Sequence, residues 1–268
     1  MKNPRNNSKS PHSSHKWHTV RASALSLGNL TRRSAILWLL TLWTERSIMK
    51  NHVHGGISMG ERFSNYEKMK NEMAGVFLRY DQEQMIRRFS LEADAGYLYI
   101  PFVRHNYRID RHTGAVQQVD GVATQEADYN EAMTIYDVLC YAKANCRPAG
   151  VFVNMNGLSS VQTGSLSRGG SFFQKTIDFF QGKTALLAGA CKALGGTEEK
   201  GGDVAFRIEM FPFLSMILRF WDADDEFPAS LQILVDKNIL EYMHYETMMF
   251  ALSHVMGRLK EAAGNDKG

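Results

Sequence analysis

Between Trp221 and Pro228 the chain reads Trp-Asp-Ala-Asp-Asp-Glu-Phe-Pro, placing four carboxylates within five residues between two apolar runs. A loop of this kind can offer oxygen ligands to a hard cation such as Mg²⁺ or Ca²⁺, with Asp222, Asp224 and Glu226 as the ligating set. If burial separated their pKa values, Asp222 and Glu226 could instead divide acid and base roles. The competing reading is an acidic hairpin turn whose Asp side chains cap backbone N–H groups. The run also lacks the glycine at its sixth position and the glutamate at its twelfth that an EF-hand calcium loop requires. Trp221 and Phe227 flank the acids and could wall a small-molecule pocket.

A second polar stretch, Gly157–Gly170 (GLSSVQTGSLSRGG), precedes a helical pattern. Its backbone N–H groups and Arg168 could cradle an anion at a helix start. It has neither the Gly-Lys-Ser/Thr of a phosphate loop nor GxGxxG after a clear strand, so a loop flanking a pocket is the better reading. The histidines of the later chain, His105, His112, His244 and His254, form neither HxH nor HExxH, and each reads as a satisfied surface or core residue. There is no Gly-x-Ser-x-Gly elbow to anchor a serine hydrolase. Cys140, Cys146 and Cys191 make no CxxC pair, and clusters or structural zinc want more thiolates than this. They read as small buried hydrophobes, in keeping with a reducing compartment.

Charge divides the 268-residue chain in two. Residues 1–58 hold nine of the 31 Lys/Arg and one of the 28 Asp/Glu, which leaves 22 bases against 27 acids in 59–268. The net +3 therefore belongs to the leader, and the mildly acidic remainder lacks the basic face of a nucleic-acid binder. The first 31 residues have the composition of a disordered tail. Ala35–Trp43 is apolar but far shorter than the roughly 20 residues that span a bilayer. Arg32-Arg33 before it resembles a twin-arginine signal, yet no small-x-small cleavage site follows. We expect residues 1–58 to be a disordered leader or a mis-assigned start, with Met49 and Met59 as internal starts. Residues 59–268 are expected to form a single cytoplasmic domain.

Elements follow from periodicity. Residues 62–89 carry apolar groups at three- and four-residue spacing, with a break at Asp81. Tyr97–Val103 reads as a strand pairing with Tyr107–Ile109 across Arg104–Asn106, and Val116–Val119 as another after the Asp110–Gly114 turn. Asp128 is a candidate N-cap for a helix to about Ala144, with an inner stripe of Met133, Tyr136, Leu139, Cys140 and Lys143. Val151–Met155 is a short strand. A helix starting at Gly170 or Ser171, with Phe172, Phe173, Ile177 and Phe180 on one side, is interrupted by Gly182, and a second carries Leu186, Leu187, Ala190, Cys191 and Leu194. Val204–Met210 alternates apolar and polar residues. Phe213–Trp221 and Leu231–Asp236 complete a second set of strands, and a helix over Tyr242–Leu259 closes the chain. Two sets of strands without a regular βαβ rhythm predict α+β, antiparallel sheet elements packed with helices.

The segment Phe220–Asp236 (FWDADDEFPASLQILVD) resembles the signature of the family known as domain of unknown function 3786, from anaerobic bacteria and archaea. Trp221, Asp225, Glu226, Phe227, Pro228, Leu234 and Asp236 fit it, and Ala229 stands where a second proline is usual. Leu194-Gly-Gly196, Gly202-Asp-Val-Ala-Phe206 and Asn65-Tyr-Glu67 fit as well, so the likeness runs from about Phe63 onward. Some members carry an added four-cysteine iron–sulfur module, absent from this chain. The resemblance thus implies a binding or accessory protein tied to anaerobic redox or corrinoid/one-carbon metabolism. Its expected partners are a small anionic ligand or an iron–sulfur or corrinoid protein. No cofactor is evident in the chain, and neither nucleic acid nor a membrane span is expected. Trp221, Asp222, Glu226 and Phe227 are the expected ligand residues, with Arg168 or Arg207 meeting an anionic group. The alternative is a metal-assisted hydrolase or transferase built on Asp222, Asp224 and Glu226.

Overall fold

Asp81 divides the first helical stretch as its short capping side chain predicts. In the computed structural model, which describes residues 59–158 and 173–265, α1 covers Met59–Phe77 and α2 covers Gln82–Phe89. The Asp81 carboxylate accepts the Gln84 N–H at 3.0 Å, satisfying a donor that the start of α2 would otherwise leave free. The leader expectation falls on residues outside those described, as does Arg168 with most of its loop.

The first sheet is an antiparallel meander in chain order, β1 (Glu92–Ala93), β2 (Tyr97–Phe102), β3 (His105–Asp110), β4 (Val116–Asp120) and β5 (Ala123–Glu126). Period-2 alternation turns Leu98, Ile100 and Phe102 of β2 and Tyr107 and Ile109 of β3 into the core. The β2–β3 turn is tighter than expected. It consists of Val103 and Arg104, with φ of 47° and 64°. Two left-handed residues match the right-handed twist of the flanking strands. Valine is uncommon there, and its backbone is tied on both sides. The Val103 N–H donates to the Met210 carbonyl at 2.8 Å, and its carbonyl accepts from Arg258 Nε at 3.3 Å.

After α3 (Tyr129–Tyr141), the second sheet comprises β6 (Phe152–Asn154), β7 (Thr197–Glu198), β8 (Val204–Phe211), β9 (Leu214–Trp221) and β10 (Ser230–Asp236). Its order is β6-β10-β9-β8-β7, antiparallel throughout. Helices α4 (Gln174–Phe180) and α5 (Thr184–Ala193) meet at Gly182, and α6 (Tyr245–Asn265) follows a 3₁₀ turn at Ile239–Glu241. The architecture is α+β, as the two strand groups imply. The strands β1, β5 and β7 escape periodicity because they are short and exposed. Helix α3 also differs from its expected single stripe. Every residue from Glu131 to Cys140 is buried, because α1 packs on one side of it and α6 on another. Lys143, expected on the inner stripe, falls beyond the end of α3 and is exposed. Asp128 caps α3 in a reciprocal box with Glu131.

The sheets join through aromatic rings. Phe102 stacks on Phe211 at 4.6 Å, Phe211 on Phe213 at 5.4 Å, and Phe213 on Tyr242 at 5.6 Å. Gly114, with φ +78°, lets the β3–β4 turn approach α1 so closely that a Cβ would lie 2.7 Å from the Ala74 carbonyl oxygen. Its own carbonyl accepts the buried Tyr136 hydroxyl at 2.7 Å. Gly114→Ala should therefore lose about 2 kcal/mol of stability from the positive φ alone, with the backbone clash adding to it. Urea denaturation would detect this as a lowered midpoint at constant slope. No helix among the described residues is long and apolar enough to cross a membrane.

Candidate ligand cleft

The acidic turn is built by hydrogen bonds from its own backbone. The Asp224 carboxylate accepts the N–H groups of Glu226 at 2.9 Å and Phe227 at 2.7 Å, and those bonds hold it below the usual carboxylate range. Asp222 reaches across to the α4–α5 corner, where both its oxygens accept the Gly182 N–H, at 2.9 and 3.0 Å. The Asp222 N–H in turn donates to Asp203 at 2.7 Å. Glu226 and Phe227 are exposed, Phe227 at 66%. Asp222, Asp224 and Glu226 do not form a group close enough to share an ion among the described residues. Two of the three are occupied in shaping the turn.

Trp221, at the end of β9, pairs with Ser230 across that turn and remains 38% exposed. It borders an open cleft of about 310 Å³ with Asn154, Asn156, Phe173 and Gln232. Asn154 and Asn156 lie just before the Gly157–Gly170 loop in sequence and Phe173 just after it. Strand parity puts Trp221, Arg219 and Ile217 on one face of the sheet. Arg207 shares that face, because it pairs with Ile217. Its guanidinium is engaged, however, by Glu199 and over the Phe152 ring at 5.0 Å.

Arg219 is different. Its Nη1 reaches the Gln232 side-chain oxygen at 3.5 Å, and its Nε is buried without a hydrogen-bond partner. No carboxylate of the described residues pairs with it. Arg219 does not itself line the cleft: its side chain lies along Gly201 and reaches the lining only through Gln232. A half-buried guanidinium lacking a counter-charge is nonetheless a natural seat for an anion. Sequence reasoning named Arg207 and passed over Arg219, Asn154, Asn156 and Gln232. The available signal was a set of polar residues interrupting apolar strands, whose pairing in register only the sheet reveals.

Asp236, at the end of the signature segment, is a structural residue. It is 2% exposed, and its carboxylate accepts the N–H groups of Ala149 at 2.9 Å, Gly150 at 2.8 Å and Asn238 at 2.8 Å. The bonds fasten the segment before β6 onto the end of β10. Cys140 and Cys191 are buried free thiols, and burial pushes Cys191 up to about 12, far from a reactive thiolate. Cys146 is less buried, and desolvation raises it too.

No curated protein matches the chain, and no solved structure does. A family model described as a domain of unknown function (DUF3786) matches residues 81–258, well over half of the chain. That span holds both sheets, the acidic turn and the cleft. The chain therefore belongs to the DUF3786 family.

Proposed function

We propose that this protein is a cytoplasmic binding or accessory protein whose cleft beside Trp221 takes a small anionic ligand. The observation that carries the reading is the uncompensated Arg219 guanidinium, which lies outside the lining of the cleft but contacts Gln232, a lining residue, near an exposed indole. Trp221 would stack on an unsaturated or apolar part of the ligand. Asn154, Asn156 and Gln232 would supply directional hydrogen bonds, and Arg219 would meet the negative charge. Asp222 and Glu226 serve here by holding or bordering the turn, with Phe227 exposed beside it. A tie to anaerobic redox or corrinoid/one-carbon metabolism, with an iron–sulfur or corrinoid protein as partner, rests on the family resemblance. Metal-assisted hydrolysis by Asp222, Asp224 and Glu226 is less favoured, since Asp222 and Asp224 already accept backbone N–H groups.

Trp221 is the only tryptophan of residues 59–268, so its fluorescence reports on the cleft once Trp17, Trp38 and Trp43 are replaced by Phe. Titration with inorganic phosphate, pyrophosphate, a nucleoside diphosphate and a dicarboxylate should show saturable quenching by at least one of them. Arg219→Gln should weaken that binding by about tenfold or more, the loss of one charge-assisted hydrogen bond. Equal response of the variant and the parent to every anion would refute the placement.

A further inference from the structure

At the opposite end of the second sheet from the cleft, three residues far apart in sequence converge. His105 opens β3 directly after the Val103-Arg104 turn, Glu131 lies in the first turn of α3, and His254 lies within α6. Each offers one ligating atom, and these atoms all lie within 4.8 Å of one another. Among the described residues no other His, Cys, Asp or Glu side chains come together in this way.

The polar atoms here are incompletely partnered. His105 Nδ1, His254 Nε2 and the Tyr107 hydroxyl are all buried without a hydrogen bond. Tyr107 is 0% exposed, and its hydroxyl lies beside the Glu131 carboxylate. An unsatisfied buried polar group costs about 1–3 kcal/mol, so the unpartnered His105 Nδ1 beside His254 and Glu131 points to a species that the side chains are arranged to receive. We propose that His105, Glu131 and His254 form a binding site for a divalent transition-metal ion of the zinc class.

The donor set suits that chemistry. Two imidazoles and one carboxylate bind Zn²⁺ or Fe²⁺ while leaving coordination positions open. His254 Nδ1 and Glu131 Oε1 are 3.5 Å apart. Two ligands of one tetrahedral ion, each about 2.0–2.1 Å from it, are separated by a little over 3 Å. That pair needs only a small contraction, while the group as a whole, spread over up to 4.8 Å, must draw in by about 1.5 Å at its widest. The other Glu131 oxygen accepts the Asp128 N–H at 2.9 Å, which orients the carboxylate as an outer-shell partner would. The Phe102 ring stacks on His254 at 4.6 Å and restricts its rotation. Arg258, a cation on the same helix as His254, is paired with Glu261, which tempers its repulsion of a metal ion.

The test uses the full-length chain, stripped with a chelator and titrated with Co²⁺ as a spectroscopic stand-in and then Zn²⁺. Five histidines of the leader (His12, His15, His18, His52 and His54) are changed to Asn in a parallel protein, because they could bind metal by themselves. One equivalent of Co²⁺ should give visible d–d bands in both proteins, and Zn²⁺ should displace it. His105→Gln and His254→Gln should each weaken binding at least 100-fold, and Tyr107→Phe, a positioning change, by about tenfold. Glu131→Gln should abolish the bands while preserving the helix start, since Gln also completes a capping box. Circular dichroism of the apo-proteins confirms that each variant folds. Bands that survive both histidine changes, that vanish with the leader histidines instead, or that never reach stoichiometry would overturn the proposal.

Discussion

Asp236→Ala is expected to destabilise the protein by about 3–5 kcal/mol, because one buried carboxylate is removed from three backbone donors at once. Hydrogen bonds to a charged group contribute about 1.5–3 kcal/mol each, and donors that lose their acceptor in a buried site keep their desolvation cost. The three donors here are Ala149, Gly150 and Asn238, all within 2.9 Å of the carboxylate. Their loss frees the segment that leads into β6, and β6 is the edge strand supplying Asn154 to the cleft. For a domain of this size the change corresponds to a melting temperature lower by roughly 10 °C. Asp236→Asn keeps one acceptor oxygen and should lose about half as much. Thermal unfolding of the three proteins checks the ranking. A loss below 1 kcal/mol for the alanine variant would show that the segment is held by other contacts.

Phe102→Ala should cost a similar amount, about 3–5 kcal/mol, through loss of a large buried ring and the cavity left behind. Phe102 is fully buried and stacks nearly parallel on Phe211, with an interplanar angle of 8°. It is thus the first ring of the column that joins the first sheet to the second. Phe102→Leu retains most of the volume and should lose only about 1–2 kcal/mol. Because the same ring packs on His254, the alanine variant should also broaden the Co²⁺ bands expected at the histidine cluster. Urea denaturation gives the stability change, and an effect of Phe102→Ala no larger than that of Phe102→Leu would contradict this account of the column.

Much of the fold was legible before any coordinates. The break at Asp81, the cap at Asp128, the alternation of Val204–Met210 and the apolar spacing of the last helix are local properties, decided by neighbours a few residues away. Such signals survive without knowledge of what packs against them. The absence of a polar face on α3 was not legible, since burial on several sides depends on α1 and α6 arriving there. The same holds for the unpredicted strands β1, β5 and β7, which owe their existence to a paired neighbour rather than to their own composition.

The candidate sites divide along the same line. The acidic run at Trp221–Pro228 stands out in sequence because its residues are contiguous, yet the fold commits Asp222 and Asp224 to backbone donors. Arg207 and Arg219 look alike in a list of residues, and only strand register shows one engaged by Glu199 and the other without a counter-charge. His105, Glu131 and His254 share no spacing motif at all. Their meeting follows from a two-residue turn, a helix start and a distant helix brought together by hydrophobic burial, which is non-local and leaves no periodic trace. By itself, then, the sequence determined the α+β elements, the charge division near residue 58 and the family likeness. Which side chains face one another was decided only by tertiary packing, because burial acts between surfaces that the linear order does not record.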